Sequence, residues 1–183
     1  DRVALIGASG DPKKSTSRPH RYLRRFGYGG AIAPINPGRA EVLGERAYAS
    51  LDEVPGAIDH AFIMVPSAAV PDAIAQCCAR SVPVATIFSD GFADSGPEGA
   101  ARQAELVATA RQGGLRLLGP NSMGLLDLHS RAMLTVSAVF DGLDLIPGRT
   151  ALISQSGSLI GSLLTRAQAR GLGFSRLVSM GNE

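Results

Sequence analysis

A run of glycine, serine and basic residues directly follows the first apolar segment and has the composition of an anion-binding loop. Gly7-Ala8-Ser9-Gly10 comes after the segment Arg2–Ile6, and Asp11-Pro12-Lys13-Lys14 completes the run. Small residues let backbone N–H groups approach a phosphate, and lysine adds positive charge. The pattern is G-x-x-G, half of the G-x-G-x-x-G dinucleotide fingerprint, so it predicts phosphate binding without naming the ligand.

The loop after the second apolar segment, Ala31–Ile35, carries an arginine where an NAD site needs an acid. NAD-dependent dehydrogenases place Asp or Glu about 20 residues beyond the glycines to hold a ribose hydroxyl. This chain has Asn36-Pro37-Gly38-Arg39 instead, and the guanidinium fork of arginine is suited to phosphate oxygens. NADP and coenzyme A (CoA) both carry a ribose phosphate, so the residues are compatible with either ligand.

Three further loops of similar composition follow apolar segments. They are Val65-Pro66-Ser67, Ser89-Asp90-Gly91-Phe92 and Gly119-Pro120-Asn121-Ser122-Met123-Gly124. Proline at positions 37 and 66 gives a rigid backbone that presents carbonyl groups and apolar surface, which suits an adenine ring or a pantetheine arm.

The elements that must position these loops are apolar strands separated by helical patterns. The predicted strands are Arg2–Ile6, Ala31–Ile35, Ala61–Val65, Val84–Phe88 and Leu115–Leu118. The predicted helices are Pro19–Phe26, Pro71–Arg80 and one that begins at the capping box Ser95-Gly96-Pro97-Glu98 and ends at Gly113-Gly114. Such alternation predicts an α/β fold with a Rossmann-like parallel sheet, whose carboxyl edge binds ligands. All five loops should therefore line one groove.

The chain changes character after Gly124. Residues 125–148 show no helical period and contain Asp141-Gly142 and Pro147-Gly148, which indicates an extended linker. A strand–helix–strand pattern then follows at Thr150–Ser154, Ser158–Arg170 and Arg176–Ser179. Because two strands and one helix cannot bury their own faces, we expect the chain to be a fragment cut inside a second domain.

Composition argues against several classes of protein. Of the 183 residues, 45% are hydrophobic and 19% are charged, no apolar run approaches the roughly 18 residues of a membrane span, and no signal peptide precedes the first strand. We therefore expect a cytoplasmic protein with no membrane partner.

Cys77 and Cys78 are adjacent and have no His or Cys at metal-ligand spacing, so we interpret them as packing residues and expect no metal site.

The charge is concentrated near the first loop, since residues 11–25 hold six basic residues and one acidic residue. We interpret Arg21, Arg24 and Arg25 as a solvated helix face. Nucleic acid is not expected as a partner, because basic residues are otherwise scattered and interleaved stacking aromatics are missing. His20, His60 and His129 are interpreted as structural or surface residues.

Together these motifs resemble a known family. In order and spacing, they are similar to the CoA-binding domain of NDP-forming (ADP-forming) acyl-CoA synthetases, in the superfamily of the succinyl-CoA synthetase alpha subunit. The motifs that carry the resemblance are Ile6-Gly7-Ala8-Ser9 with Pro12 and Lys14, Ile35-Asn36-Pro37, Val65-Pro66, Asp90-Gly91-Phe92, Gly119-Pro120-Asn121, Ala151-Leu152-Ile153-Ser154-Gln155-Ser156-Gly157-Ser158, Gly173-Phe174-Ser175 and Met180-Gly181-Asn182.

The resemblance implies a domain organisation. Residues 1–127 would form the CoA-binding Rossmann-like domain, residues 128–148 an extended linker, and residues 149–183 the first βαβ unit of a truncated flavodoxin-like domain.

The resemblance also implies roles for individual residues. CoA would be bound by Gly7, Ala8, Ser9, Gly10, Asp11, Pro12, Lys14, Pro37, Arg39, Val65, Pro66, Ser89, Asp90, Gly91 and Asn121. Ser9 to Pro12 and Arg39 would contact phosphates, and Val65-Pro66 with Ser89-Asp90-Gly91 would line the arm. Ser156, Gly157 and Ser158 would form the helix N-terminus that receives a phosphohistidine, an arrangement that suits an anion.

The implied reaction converts acid, CoA and NTP into acyl-CoA, NDP and phosphate through an acyl phosphate and a phosphohistidine. The family's histidine lies beyond this chain, so no catalytic residue is assigned here and the fragment alone is expected to be inactive. The implied partners are CoA and a small carboxylic acid or acyl-CoA. ATP or ADP and Mg²⁺ are expected only with missing domains, among them an ATP-grasp beta-type domain or subunit.

Three alternatives stay open at this stage. A non-catalytic CoA- or nucleotide-sensing module, for example fused to an acetyltransferase, would use the same domain pair. An NADP-dependent oxidoreductase is disfavoured by the second strand. A hydrolase with Ser156 as nucleophile is disfavoured because Ser154 replaces the first glycine of G-x-S-x-G, and the three serines of this region would then simply cap a helix.

Overall fold

The computed structural model describes residues 2–182 and contains eleven strands and four α-helices within that range. The strands are β1 (Arg2–Ile6), β2 (Ala31–Ile35), β3 (Glu41–Val42), β4 (Glu45–Arg46), β5 (His60–Ile63), β6 (Val84–Ile87), β7 (Arg116–Leu118), β8 (Gly124–Asp127), β9 (Ala132–Thr135), β10 (Pro147–Ser154) and β11 (Phe174–Ser179). The helices are α1 (Arg18–Arg25), α2 (Val70–Ala79), α3 (Pro97–Gln112) and α4 (Gly157–Gln168). No helix among these residues is long and apolar enough to cross a membrane.

The first sheet is entirely parallel, with the strand order β2-β1-β5-β6-β7. Its register aligns Ile6 with both Ile35 and Ile63, and Ile63 with Ile87. The carboxyl ends of these strands therefore meet at one edge, as predicted. β1 and β5 mark the point where the chain changes direction across the sheet, which is where open α/β sheets bind ligands.

Apolar side chains on both faces hold this sheet between its helices. One face contributes Ala4, Ile6 and Ile63 to a core with Ile74 of α2 and Leu106 of α3. The opposite face contributes Val3, Leu5 and Phe62 to a second core with Leu23 of α1. Burial on two sides explains why these strands are continuous apolar runs in the sequence.

The second sheet has the order β10-β11-β8-β9 and mixes parallel with antiparallel pairing. β10 and β11 are parallel neighbours, as the predicted βαβ unit requires, and α4 connects them. β11 also pairs antiparallel with β8, so that Ser179 lies opposite Gly124. A third core joins this sheet to Tyr22 of α1, Phe140 and Leu164.

The segment after Gly124, for which the sequence indicates an extended linker, contains regular secondary structure. β8 and β9 form an antiparallel hairpin, and a 3₁₀ helix follows at Ala138–Asp141. The segment 128–148 therefore contains a strand of the second sheet, whereas the domain division at residues 127 and 149 stays a prediction. The hairpin turn is local: Asp127 Oδ1 accepts hydrogen bonds from the backbone N–H groups of His129 and Ser130, at 3.0 and 3.1 Å.

The arginines of α1 do not form a simple solvated face. Arg21 Nη2 lies 2.7 Å from Asp141 Oδ1, and the Arg24 guanidinium is paired with Glu45. Arg25 donates to the carbonyl oxygens of Phe140, Asp141 and Leu143. These acceptors are 20 or more residues away in the chain, so their spacing gave no helical i, i+4 pattern.

The capping box predicted at Ser95 is also absent. α3 begins at Pro97, and Gly96 is its N-cap residue. The N–H and hydroxyl groups of Ser95 both donate to the carbonyl of Phe92, at 2.8 Å each. Ser95 therefore closes the preceding 3₁₀ turn instead of capping the helix.

Candidate functional site

The loop after β1 is shaped by close contact with both neighbouring strands. The N–H of Gly7 donates to the carbonyl of Ile35 at 3.0 Å, and Gly7 has a φ of +84°. A Cβ at this position would lie 2.9 Å from the carbonyl oxygen of Met64 and 3.0 Å from Cγ1 of Val65. Glycine is thus required by both backbone conformation and space.

The rest of this loop turns through side-chain contacts with its own backbone. Ser9 Oγ accepts from the N–H of Asp11 at 3.0 Å, and Asp11 Oδ1 accepts from the N–H of Lys13 at 2.9 Å. A hydroxyl that accepts in this way can still donate its own hydrogen to a phosphate oxygen. Pro12 and Lys14 are exposed on the same turn, which leaves the ammonium group of Lys14 accessible.

The loop after β2 lies directly beside the loop after β1. Asn36 Nδ2 donates to the carbonyl of Ala8 at 2.9 Å, and Asn36 Oδ1 accepts from the N–H of Gly38 at 3.0 Å. The guanidinium of Arg39 covers Gly10, because a Cβ on Gly10 would lie 3.5 Å from Arg39 Nη1. Gly10 and Arg39, both predicted to lie at a bound phosphate, are separated by 29 positions in the sequence but meet in the folded chain.

A groove of about 350 Å³ opens beside these loops and runs toward α2. Its apolar wall includes Ile6, Ile35, Val65 and Ala69, and Pro37 lies at its rim. Polar side chains are supplied mainly by Asn36, Asp72 and Gln76. Such a groove, with apolar walls and few polar groups, can take a flat aromatic ring.

The loops after β5 and β6 are joined through Ser89. Ser89 is only 9% exposed, and its hydroxyl donates to the carbonyl of Val65. Pro66 and Asp90 are exposed on either side of this junction. The Ser89 hydroxyl therefore joins the two loops, and the residues Pro66 and Asp90 beside it are accessible to solvent.

Ser67 and Arg102, to which the sequence analysis gave no role in binding, also shape this junction through Gly91. Gly91 has a φ of +85°, and a Cβ there would lie 3.3 Å from Ser67 Oγ. Arg102 of α3 donates to the carbonyl of Gly91 at 2.8 Å. Ser67 and Arg102 also line a second groove, of about 460 Å³, between α2 and α3. An arginine on an exposed helix face carries no sequence signal for this contact.

Asn121 connects the first sheet to a second candidate site, which lies at the N-terminus of α4. It has a φ of +58°, and its N–H donates to the carbonyl of Ser89 at 2.9 Å. It also lines a pocket of about 580 Å³ together with Ser154, Ser156 and Asn182. The predicted CoA residues and the predicted phosphohistidine loop are thus brought together around Asn121.

The second site is the N-terminus of α4. Ser156 is the N-cap residue, and its Oγ accepts from the N–H of Leu159 at 3.3 Å. Ser156 and Ser158 are both exposed. A Cβ on Gly157 would lie 2.2 Å from Met123 Cγ, so glycine lets the helix start approach the chain after β7. The helix dipole makes this terminus attractive to an anion.

The histidines and cysteines lie away from these two sites or are engaged in packing. His60 Nε2 is 2.8 Å from Thr86 Oγ1, and burial lowers its pKa to about 4. His20 is buried within α1, and His129 contacts the carbonyl of Gly148. Burial raises the pKa of the Cys77 thiol to about 12. Among residues 2–182, no group of three His, Cys, Asp or Glu side chains is placed to hold a metal ion.

Comparison with known proteins agrees with this geometry. The family described as "CoA binding domain" matches residues 1–127, and the family described as "Succinyl-CoA ligase like flavodoxin domain" matches residues 147–183.

Relatives of known name align with nearly the whole of this chain. The chain is 36% identical over 180 residues to the alpha subunit of acetate–CoA ligase [ADP-forming] II of Pyrococcus furiosus, covering 98% of this chain and 38% of that protein. It is 36% identical over 181 residues to acetate–CoA ligase [ADP-forming] I of Archaeoglobus fulgidus, covering 99% of this chain and 26% of that protein.

A solved structure gives the same result. Acetyl-coenzyme A synthetase 1 of Ca. Korarchaeum cryptofilum, in its apo form, is 36% identical and superposes with a TM-score of 0.91, covering 99% of this chain and 38% of that one. The chain thus spans less than two fifths of the length of these relatives. Because the first family covers more than half of its residues, the chain belongs to the CoA-binding domain family, with sequence of the succinyl-CoA ligase-like flavodoxin domain at residues 147–183.

Proposed function

We propose that this chain binds CoA along the carboxyl edge of its parallel sheet, as part of an NDP-forming acyl-CoA synthetase. The observation that carries the proposal is the meeting of Arg39 with Gly10, which places a guanidinium over the glycine-rich loop after β1. Phosphates would be held there by Arg39, Lys14, the Ser9 hydroxyl and nearby backbone N–H groups.

The remaining parts of CoA fit the surfaces that continue from this point. The groove of about 350 Å³ offers apolar walls for adenine. The exposed backbone at Val65-Pro66 and at Asp90-Gly91 would guide the pantetheine arm past Asn121. This path ends near the pocket of about 580 Å³ at the start of α4, so that the thiol end of CoA would face the place proposed for the phosphoryl group.

The role proposed for the α4 N-terminus is to receive a phosphorylated histidine. Ser156 already satisfies the N–H of Leu159, whereas the first N–H groups of the helix and the hydroxyl of Ser158 can bind phosphate oxygens. The histidine would belong to another part of the whole protein. ATP or ADP with Mg²⁺ would likewise be bound by an ATP-grasp domain or subunit, and the acid would be a small carboxylic acid.

A cytoplasmic location forms part of the same proposal. Cys77 and Cys78 are both free thiols, which is typical of proteins kept in a reducing compartment.

Calorimetric titration with CoA, dephospho-CoA and NADPH tests the proposed ligand. CoA should bind more tightly than dephospho-CoA or NADPH. Arg39→Ala should weaken CoA binding about threefold to tenfold, because it removes a charge-assisted contact at an exposed site. Arg170→Ala is the matched control, since Arg170 is an exposed arginine just after α4 whose guanidinium donates to the carbonyl of Arg166, away from the proposed phosphate site.

The result also separates the competing functions. Tight NADPH binding with no CoA binding would refute the proposal in favour of an oxidoreductase. If CoA binds, an assay of the full-length protein for ADP formation that depends on acid and CoA distinguishes a ligase from a CoA-sensing module. The ligase is favoured because the relatives at 36% identity are named as ADP-forming ligases.

A further inference from the structure

Asn182, just after β11, reaches from the second sheet to the loop that follows β6. Its Nδ2 donates to Asp94 Oδ1 at 2.7 Å and to Gln103 Oε1 at 3.1 Å. Its backbone N–H donates to the carbonyl of Pro120 at 2.8 Å. Asn182 is therefore fixed through its backbone to one loop of the first sheet and through its side chain to another.

Asp94 transmits this contact to the loop proposed to hold the CoA arm. Asp94 Oδ2 accepts from the N–H of Gly91 at 3.0 Å, and Oδ1 accepts from the N–H of Phe92 at 3.1 Å. Partial burial alone would raise the pKa of Asp94, but hydrogen bonds from Asn182, Gly91 and Phe92 outweigh it and hold the pKa below its ordinary value. The carboxylate therefore stays charged and keeps the turn closed.

Asn121 closes the connection from the other side. Its Nδ2 donates to Asn182 Oδ1 at 3.3 Å, while its backbone N–H donates to the carbonyl of Ser89. The loop from Ser89 to Asp94 is thus held at both ends by contacts that converge on the side chain of Asn182. The amide orientation is consistent, because its NH₂ group faces a carboxylate and its oxygen faces a donor.

The hydrogen bonds of Asn182, Asp94 and Asn121 affect the position of the loop more than the stability of the fold. Asp94 and Asn121 are exposed and Asn182 is half-buried, so water competes for each group and the net gain in global stability is small. The contacts instead fix the position of the loop from Ser89 to Asp94. Asn182 also lines the pocket at the start of α4, so one residue touches both proposed sites.

We propose that Asn182 is a positioning residue that, through Asp94, holds the Ser89–Gly91 loop in place for the arm of CoA and ties it to the anion pocket of α4. The inference rests on the proposed function, because it concerns the loop assigned there to the pantetheine arm.

The test compares CoA with a ligand that keeps the adenosine and its 3′-phosphate but lacks the pantetheine arm and the phosphate that joins it. Asn182→Ala should weaken binding of CoA about threefold to tenfold, the loss of one or two modest hydrogen bonds, and should leave binding of adenosine 3′,5′-bisphosphate, which lacks the arm, unchanged. Gln168→Ala is the matched control: Gln168 donates to the carbonyl of Asp144 and accepts from the N–H of Ile146, in the same sheet region but away from the loop.

Hydrogen exchange supplies a readout that needs no ligand. In Asn182→Ala, the amide protons of Gly91 and Phe92 should exchange roughly threefold or more faster than in the wild type. Equal loss of both ligands would indicate general damage and overturn the proposal, as would unchanged CoA affinity. If the wild type binds neither ligand, the proposed function is refuted, and with it the role of Asn182 in positioning the loop for CoA. The exchange rates would still show whether Asn182 holds the loop.

Discussion

Gly7 provides a stringent test of the geometry at the switch point between β1 and β5. Replacing it with alanine imposes two separate costs. The φ of +84° would cost an alanine about 1–2 kcal/mol. The added Cβ would also meet the Met64 carbonyl oxygen at 2.9 Å and Val65 at 3.0 Å, and overpacking of this kind costs about 1–3 kcal/mol more.

Gly44 separates the two costs. It has the same φ of +84°, but a Cβ there would meet nothing within 4 Å. Gly44→Ala should therefore carry only the backbone cost. Because 1 kcal/mol changes the melting temperature of a chain of this size by about 2–4 °C, Gly7→Ala should melt about 2–12 °C below Gly44→Ala.

The assay is thermal unfolding followed by circular dichroism, with CoA titration of each variant that is folded at 25 °C. Gly7→Ala should also weaken CoA binding, since β5 must move away from β1 where the ligand passes, whereas Gly44→Ala should bind normally. Equal melting temperatures for the two variants would refute the close approach of Gly7 to β5.

Two further predictions concern stability. Burial lowers the pKa of His60 from 6.5 to about 4, so between these pH values the unfolded state binds more protons than the folded state. The free energy of unfolding, measured by urea titration, should therefore fall by about 1–3 kcal/mol as the pH drops from 7 to 4.5. His60→Gln should reduce this pH dependence. The hydroxyl of Tyr22 donates to the carbonyl of Ser137 at 2.9 Å in the buried third core. Tyr22→Phe should lower the free energy of unfolding by about 0.5–1.5 kcal/mol, measured by urea denaturation, because it removes this buried hydrogen bond; an unchanged value would contradict this.

The parallel sheet could be predicted from the sequence because its signal is local. Strands buried on both faces must be continuous apolar runs, and proline or glycine marks the helices between them. Arg2–Ile6 and Ala31–Ile35 were predicted with the bounds the structure shows. The positions of the five loops then followed, since parallel strands place their carboxyl ends on one edge.

The second sheet was harder to predict because its stabilising contacts are not local. β8 pairs with β11, which lies 49 to 55 positions further along the chain, and the pairing of Gly124 with Ser179 leaves no mark in the sequence around either residue. The same holds for the site. Arg39 could be selected by residue type, whereas Asp94 and Arg102 act on Gly91 through contacts that only the folded chain creates.

Helix α1 connects the two sheets to the loop proposed to bind phosphate. Leu23 on this helix lies in the second core, and Tyr22 lies in the third, so that α1 is packed between the two sheets. A short 3₁₀ helix, Ser15–Ser17, joins it to the loop of Gly7 to Lys14. The arginines of α1 are held by Asp141, Glu45 and the carbonyls of residues 140, 141 and 143. The loop proposed to bind phosphate is therefore fixed at one end by β1 and at the other by a helix anchored in both sheets. This would order its backbone N–H groups before any ligand binds and so reduce the entropy cost of binding.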